Sequence, residues 1–163
     1  MKNIDLKNQN VFNLIGEKWM LVAAADKQGK SNAMTASWGG MGILWGKKVA
    51  FVFIRPQRYT KNFVDEAENF SLSFFGEEYR KMLSYMGRVS GRDKDKIKNS
   101  GLTLKIVDGS PVFQEAEMTL ICKKLYRQTI DENCFIDKSI IQGCYPEKDY
   151  HDVYVAEIIK QID

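Results

Sequence analysis

The amino-acid sequence predicts a mainly β protein whose antiparallel strands form a closed or nearly closed barrel with a few short helices around it. Strand-like segments recur in the first half of the chain and dominate its last third. Tight turns join successive segments, which favours antiparallel pairing. The strands do not alternate regularly with helices, as a parallel sheet would require. A closed barrel also removes exposed strand edges.

The first strands are predicted from short apolar runs and the turn that joins them. The run WMLVAAA (19–25) is followed by DKQGK, in which Gly29 supplies a hairpin turn into an antiparallel partner. A glycine-rich corner within GGMGILWG (39–46) comes next. The segment KVAFVFI (48–54) is then predicted as a central, almost continuously buried strand that stops at Arg55.

Short helices are predicted on either side of a strand at NFSLSFFG (69–76). We expect Thr60 to be the N-cap of the first, which turns Phe63, Val64 and Ala67 inward. The next carries an apolar stripe with i, i+3, i+4 and i+7 spacing, formed by Tyr79, Met82, Leu83 and Met86.

A further short helix is expected between Asp93, as its cap, and Lys98, with Gly101 as a left-handed terminator. The remainder of the chain has β character. Its predicted strands lie at LTLKIV (102–107), AEMTLICKKLYRQTI (116–130), SIIQGCY (139–145) and DVYVAEIIKQI (152–162).

Composition limits the class of protein. A length of 163 residues suits one domain, residues 1–163, that buries about 70% of its extended-chain surface. No run approaches the roughly 18 apolar residues of a membrane helix, and the polar opening MKNIDLKNQN has no apolar stretch for a secretory signal. We therefore expect a cytoplasmic protein with no membrane partner. The net charge of +3 is too small and scattered to predict a nucleic-acid partner.

The cysteines also favour a reducing compartment. Cys122, Cys134 and Cys144 are odd in number and form no CxxC pair, which does not suit a disulfide framework. Together with His151 they give four possible zinc ligands, but their irregular spacing argues against a metal site.

Candidate binding residues fall in three segments. In SNAMTASWGGMG (31–42) Met34 and Trp38 share one face of an extended chain, while Thr35 and Ser37 offer hydroxyls on the other. In IRPQRYT (54–60) two arginines precede a helix start, where a phosphate could bind. The polar loop GRVSGRDKDK (87–96) adds a flexible glycine and further cations.

Two other enzyme classes fit poorly. The glycines of GGMGILWG precede a strand, whereas a dinucleotide-binding turn must open a helix. Hydrolytic triads would have to use His151, the single histidine, and no nucleophile elbow accompanies it. His151 is either an exposed loop residue without a role or a hydrogen-bonding or proton-shuttling group beside a ligand. Trp38 is either a packing aromatic or a wall beside a flat ligand.

The ordered segments NAMTASWGGMG, RPQRYT and GRVSGRDKDK resemble the flavin reductase-like family, whose fold is the FMN-binding split β-barrel. The similarity extends from about Trp19 to Ile158. It implies an antiparallel split β-barrel with a few peripheral short helices. It also implies noncovalently bound FMN and a homodimer in which the isoalloxazine lies near the interface.

The resemblance also assigns residues to the cofactor. It places the flavin ring and ribityl chain along Asn32, Met34, Thr35, Ser37 and Trp38. The phosphate-side loop would comprise Arg55, Arg58, Tyr59 and Thr60, and the loop completing it Ser90, Gly91 and Arg92. His151, a candidate for the substrate side, matches a histidine before the last strand of many relatives. They often have Gly-Asp-His where this chain has Asp149-Tyr150-His151.

The expected function is that of an FMN-dependent oxidoreductase. It would pass electrons from NADH or NADPH to flavin, or through bound flavin to an acceptor that could be a protein. Redox chemistry on a flavin needs no acid–base pair from the protein, which agrees with the lack of such a pair in the sequence. The alternatives are a flavoredoxin-like electron carrier or flavin sensor without NAD(P)H turnover, and a split barrel that has lost flavin.

Overall fold

Antiparallel strands dominate the computed structural model, which describes residues 6–163; the first five residues of the polar opening segment lie outside the described residues. Seven strands form one sheet in the order β2-β1-β5-β8-β9-β4-β3, and β6 and β7 form a separate hairpin. The strands are β1 Met20–Ala25, β2 Ser31–Ala36, β3 Gly39–Leu44, β4 Lys47–Ile54, β5 Asn69–Phe74, β6 Leu104–Val107, β7 Ser110–Phe113, β8 Met118–Thr129 and β9 Asp152–Ile162.

The sheet is curled into a barrel that stays open between β2 and β3. These two strands end the sheet order at opposite sides, yet only Ser37 and Trp38 separate them in sequence. A flat sheet would set its outer strands about 29 Å apart, from six spacings of about 4.8 Å. The link between Ala36 and Gly39 reaches at most about 11 Å. The sheet must therefore roll up, which confirms the split β-barrel fold and puts Trp38 at the seam.

Two apolar clusters lie on the two sides of β1, which explains its uninterrupted apolar run. Val22 and Ala24 belong to the larger cluster, whereas Leu21 and Ala23 belong to the second. Successive side chains of a strand point to opposite faces, so a strand buried on both faces has no polar alternation. The pairing of β1 with β2 through the turn at Gly29 confirms the predicted hairpin.

The helices are short, and their buried apolar residues pack into both clusters. The predicted stripe on α2 is confirmed, since Leu83 and Met86 are buried in the second cluster. The α-helices are α1 Thr60–Glu66, α2 Arg80–Arg88, α3 Lys96–Ser100 and α4 Ser139–Cys144. A π-helix at Phe12–Glu17 and 3₁₀ turns at Leu6–Asn8, Glu77–Tyr79 and Glu132–Cys134 complete the elements of residues 6–163. Within this range no helix is both long and apolar enough to cross a membrane.

Two predicted helix N-caps were wrong. Thr60 is not the N-cap of α1: it is the first helical residue, and its hydroxyl accepts a hydrogen bond from Asn32 instead of capping the helix. Asp95, not Asp93, caps α3, because its side chain accepts from the backbone N–H of Lys98. Gly101 ends α3 with a φ of 78°, as predicted.

Three strand predictions were wrong in part or entirely. The glycine corner is strand β3, which pairs with β4 along its whole length. Burial of β4 is not continuous, because Lys47 and Lys48 are exposed and Phe51 and Phe53 are half-buried. The segment SIIQGCY forms helix α4. Short apolar runs alone do not distinguish a helix from a strand, which explains this wrong prediction.

Candidate functional site

Two cavities open side by side along β2. We call them the basic cavity and the aromatic cavity. Ser31 and Asn32 line the basic cavity, and Met34, Thr35 and Ala36 line the aromatic cavity. From Lys30 to Trp38 the strand and its ends span about 26 Å, at about 3.3 Å per residue. One extended ligand could therefore contact both.

The aromatic cavity occupies about 220 Å³ at the open seam of the barrel. Trp38 projects from the link between β2 and β3 and remains 49% exposed, with its ring centroid 5.3 Å from that of His151. Phe53, from β4, meets the His151 ring edge-on at 6.5 Å. The full lining is Met34, Thr35, Ala36, Ser37, Trp38, Phe53, Arg55, Arg58 and His151.

The two arginines of this cavity are fixed by protein contacts. Arg55 forms an ion pair with Asp149 at 2.6 Å and donates to the Cys144 carbonyl at 2.9 Å. Arg58 donates to the Gly87 carbonyl at 2.8 Å, at the end of α2. Burial lowers the pKa of Arg58 from its ordinary value, which still leaves a charged guanidinium. Each therefore presents a held positive charge.

His151 is buried, with 7% of its surface exposed, and is held by a second ring. Its Nδ1 lies 2.7 Å from the Tyr145 hydroxyl. Burial, and secondly the charge of Arg55, lowers the pKa of His151 to about 4. The ring is consequently neutral near pH 7.

The basic cavity is larger, about 510 Å³, and is surrounded by charge. Its wall carries the five cations Lys30, Arg92, Lys94, Lys96 and Lys98 against the carboxylates Asp93 and Asp95. Asp95 is engaged as the cap of α3. The cavity therefore favours an anion of more than one negative charge.

Lys96 is the most buried of these cations, with 3% of its surface exposed. Its Nζ donates to the carbonyls of Met86 at 2.9 Å and Val89 at 3.0 Å. Burial, and secondly the nearby charge of Arg58, lowers its pKa to about 8. Since Arg58 lines the other cavity, these two cations stand at the junction of both.

Asn32, Thr60 and Gly91 meet at the floor of the basic cavity. Asn32 donates from Nδ2 to the Thr60 hydroxyl at 2.9 Å, and both side chains are buried. Gly91 packs so closely on Asn32 that a Cβ at this position would lie 2.2 Å from Asn32 Oδ1. Only glycine fits this loop without displacement.

The remaining predicted residues surround the same place. Arg92 stacks over the Tyr59 ring at 4.7 Å and donates to the Gln57 carbonyl. The Ser90 hydroxyl accepts from the Arg92 backbone N–H. Lys30 reaches the Tyr59 hydroxyl at 3.4 Å. The structure thus brings all predicted site residues to one region, but Arg55 and Arg58, both predicted for the phosphate, line the aromatic cavity and not the more basic one.

Sequence reasoning missed four residues of this region: Lys30, Phe53, Lys96 and Tyr145. Lys30 follows the hairpin glycine and Lys96 opens α3, and neither was named among the candidate binding residues. Phe53 was assigned to the core. A signal for Lys96 existed, because it stands in the same GRVSGRDKDK segment as Ser90 and Arg92. Nothing in the sequence pairs Tyr145 with His151.

A family model and several solved structures are similar to this chain. The family model described as flavin reductase like domain matches residues 13–160. No curated protein matches the chain in sequence.

Solved structures are similar in fold. The flavoredoxin of Methanosarcina acetivorans has a TM-score of 0.69 and 24% identity, over 100% of this chain and 76% of that chain. An FMN-binding protein of Thermus thermophilus, with bound 1-cyclohex-2-enone, has a TM-score of 0.71 and 19% identity, over 100% of this chain and 80% of that chain. A proposed flavin reductase with a split barrel domain, from Shewanella frigidimarina, has a TM-score of 0.71 and 13% identity, over 99% of this chain and 76% of that chain.

Proposed function

Because the chain belongs to the flavin reductase-like domain family, we propose that residues 1–163 form one domain that binds FMN noncovalently and uses it for oxidation and reduction. The observation that carries the proposal is the pair of adjoining cavities on β2, one basic and one aromatic. FMN has a matching pair of ends, a phosphate and a planar ring.

The basic cavity suits the phosphate. Lys96 and Arg92 would hold it from one side and Lys30 from the other, with Asn32 and Thr60 beneath. The Ser31 hydroxyl is buried at this cavity without a hydrogen-bond partner among residues 6–163, so it can still donate to an anion. Gly91 lets its loop pack directly against Asn32, which a side chain at this position would displace.

The aromatic cavity suits the ring. Trp38 and Phe53 offer apolar surfaces, while Thr35 and Ser37 offer hydroxyls near its edge. When bound there, FMN supplies hydride and electron transfer, which the side chains of this site do not perform. Arg58 contributes a fixed positive charge, so the protein favours a ligand state that carries more negative charge. Arg55 and His151 would close the substrate side.

The electrons would come from NADH or NADPH and go to flavin, or through it to an acceptor. No nicotinamide fingerprint identifies the reductant in the sequence. A flavoredoxin-like electron carrier is the second candidate, because a structural neighbour bears that name. The cytoplasmic location stays a prediction, with which the free thiols of Cys122, Cys134 and Cys144 are consistent.

Added FMN is expected to bind the purified protein at one per chain, with quenched flavin fluorescence as it stacks near Trp38. Fluorescence titration and calorimetry measure this, and no uptake at FMN concentrations on the order of 10 µM would end the proposal. Stopped-flow mixing of the loaded protein with NADH or NADPH then distinguishes the candidates. Rapid bleaching of the flavin supports the reductase, and bleaching by dithionite alone supports the carrier.

We also propose a homodimer that uses the β3 end of the sheet. Ile43 on β3 is 72% exposed, and the exposed Trp45 contacts the Tyr126 ring at 6.3 Å. One edge of β3 has no partner strand within residues 6–163. A second copy would cover this apolar end.

Ile43→Lys is expected to weaken the dimer at least tenfold, because a charge would be buried against apolar side chains. Sedimentation velocity over a range of protein concentrations measures the change. Ile136→Lys is the matched control, since Ile136 is fully exposed and lies in the segment between β8 and α4. Equal dimer stability in both variants would place the interface elsewhere.

A further inference from the structure

The Tyr145 hydroxyl and His151 form a pair at the back of the aromatic cavity. Tyr145 follows α4, is buried, and lies 2.7 Å from Nδ1 of His151. The Arg55 guanidinium stacks over the Tyr145 ring at 5.0 Å, and the Tyr150 ring lies 4.9 Å away. Both side chains of the pair are therefore held.

The direction of this hydrogen bond follows from what each group can donate. Burial raises the pKa of Tyr145, so its hydroxyl keeps its proton. His151 Nδ1 is the only hydrogen-bond partner of this hydroxyl within residues 6–163. If Nδ1 donated instead, the Tyr145 O–H would be buried without an acceptor, so the hydroxyl donates to Nδ1. This leaves the proton of a neutral imidazole on Nε2.

Burial and the charge of Arg55 favour the neutral form of the ring, and the smaller opposing effect of Asp149 does not reverse this. Arg55 lies on the cavity wall and is paired with Asp149, while Arg58 lines the same cavity from the loop before α1. Tyr150 packs on Tyr145, and Asp152 is engaged with Lys61 on α1 and Thr129 on β8.

Trp38 and Phe53, which contact the His151 ring directly, carry no charge. No carboxylate is hydrogen-bonded to the imidazole among residues 6–163.

We propose that Tyr145 is a positioning residue that holds neutral His151 with its proton on Nε2, so that His151 offers the cavity a hydrogen-bond donor and not a transferable proton. The His151 ring lines the aromatic cavity, and its Nε2 has no protein partner within the described range. Its ligand would be an acceptor, a carbonyl oxygen or ring nitrogen. That last step rests on the proposed function, whereas the state of the ring does not.

A nitrogen NMR spectrum of the ligand-free protein tests the state of the ring. His151 is the single histidine of the chain, so once any affinity tag is removed its two ring nitrogens give the only imidazole signals. We expect a protonated Nε2 and an unprotonated Nδ1 whose resonance is displaced by the hydrogen bond it accepts. This pattern should persist from pH 8 down to pH 5.5. A proton on Nδ1, or a charged ring at pH 6, would overturn the proposal.

Tyr145→Phe tests the cause. The Nδ1 resonance should move to the position of a free imine-type nitrogen, and FMN affinity should fall about tenfold as the donor loses its orientation. Tyr150→Phe is the matched control, because it removes a hydroxyl from the neighbouring ring and should leave the Nδ1 resonance unchanged. An unchanged Nδ1 resonance in Tyr145→Phe would overturn the proposal. If that variant does not fold, the wild-type spectrum still decides. If the wild type gives the expected spectrum but takes up no FMN, the flavin function alone is rejected and the proposal for Tyr145 stands.

Discussion

Gly91→Ala is expected to lower FMN affinity tenfold to a hundredfold. The added methyl would lie 2.2 Å from Asn32 Oδ1 and 2.9 Å from its Cγ, well inside contact distance. Asn32 cannot yield easily, because it is buried and donates to the Thr60 hydroxyl. The exposed loop that carries Gly91 must therefore move outward and take Arg92 with it. Overpacking of this kind costs about 1–3 kcal/mol, and about 1.4 kcal/mol corresponds to a tenfold change in affinity.

Isothermal titration with FMN measures this loss, and urea unfolding of the ligand-free variant shows how much of the strain remains in the fold. Gly143→Ala is the matched control: Gly143 lies in helix α4, and a Cβ there would meet no atom within 4 Å. Wild-type affinity in Gly91→Ala would mean that the phosphate does not depend on this loop, and the basic cavity would lose its assigned role.

Local signals explain why the first hairpin was predictable. The apolar run at 19–25, the turn at Gly29 and the polar return strand each carry their own cue, and the pairing joins neighbours in sequence. The stripe on α2 is equally local. By contrast, β9 pairs not only with β8, the strand before it, but also with β4, from which four other strands separate it in the chain. No residue within β9 specifies these partners, so only the strand itself could be predicted.

The site was predictable in its residue types but not in its arrangement. Asn32 and Thr60 are 28 positions apart, and their hydrogen bond exists only because α1 packs on β2. Arg55 and Arg58 lie three positions apart and were assigned together to the phosphate. In the structure both line the aromatic cavity, where Asp149 holds Arg55 and the Gly87 carbonyl holds Arg58, and neither contact leaves a trace in the local sequence.

Glycine content misled the prediction at β3. Glycine usually weakens strands, so GGMGILWG was interpreted as a corner. The strand exists because β4 offers a continuous partner, and Gly39 is required by close approach: a Cβ there would lie 2.8 Å from the Phe51 carbonyl oxygen. Tertiary packing overrode local propensity at this position.

Lys96→Met is expected to weaken FMN binding about tenfold to a hundredfold. It should also abolish the fall in FMN affinity that the wild type is expected to show between pH 8 and 10. In the wild type, burial and then the charge of Arg58 lower the pKa of Lys96 to about 8. A bound phosphate would favour the ammonium form and raise this pKa again. Binding would then take up a proton above pH 8, so wild-type affinity should fall as the pH rises from 8 to 10. Titrations in buffers of different ionisation enthalpy measure that uptake.

The stability of the ligand-free protein should change in the opposite direction. Because the pKa of Lys96 is lower in the folded chain than its ordinary 10.5, the unfolded chain binds more protons between pH 8 and 10.5. The free energy of unfolding should therefore rise over this interval, by about 3 kcal/mol at most, relative to Lys96→Met at each pH. Lys98→Met is the matched control, since Lys98 lines the same cavity but is exposed, and it should keep both pH dependences. A wild-type affinity that stays constant from pH 8 to 10 would contradict a phosphate beside Lys96. If the free energy of unfolding of the wild type relative to Lys96→Met does not change with pH, only the lowered pKa of Lys96 is contradicted.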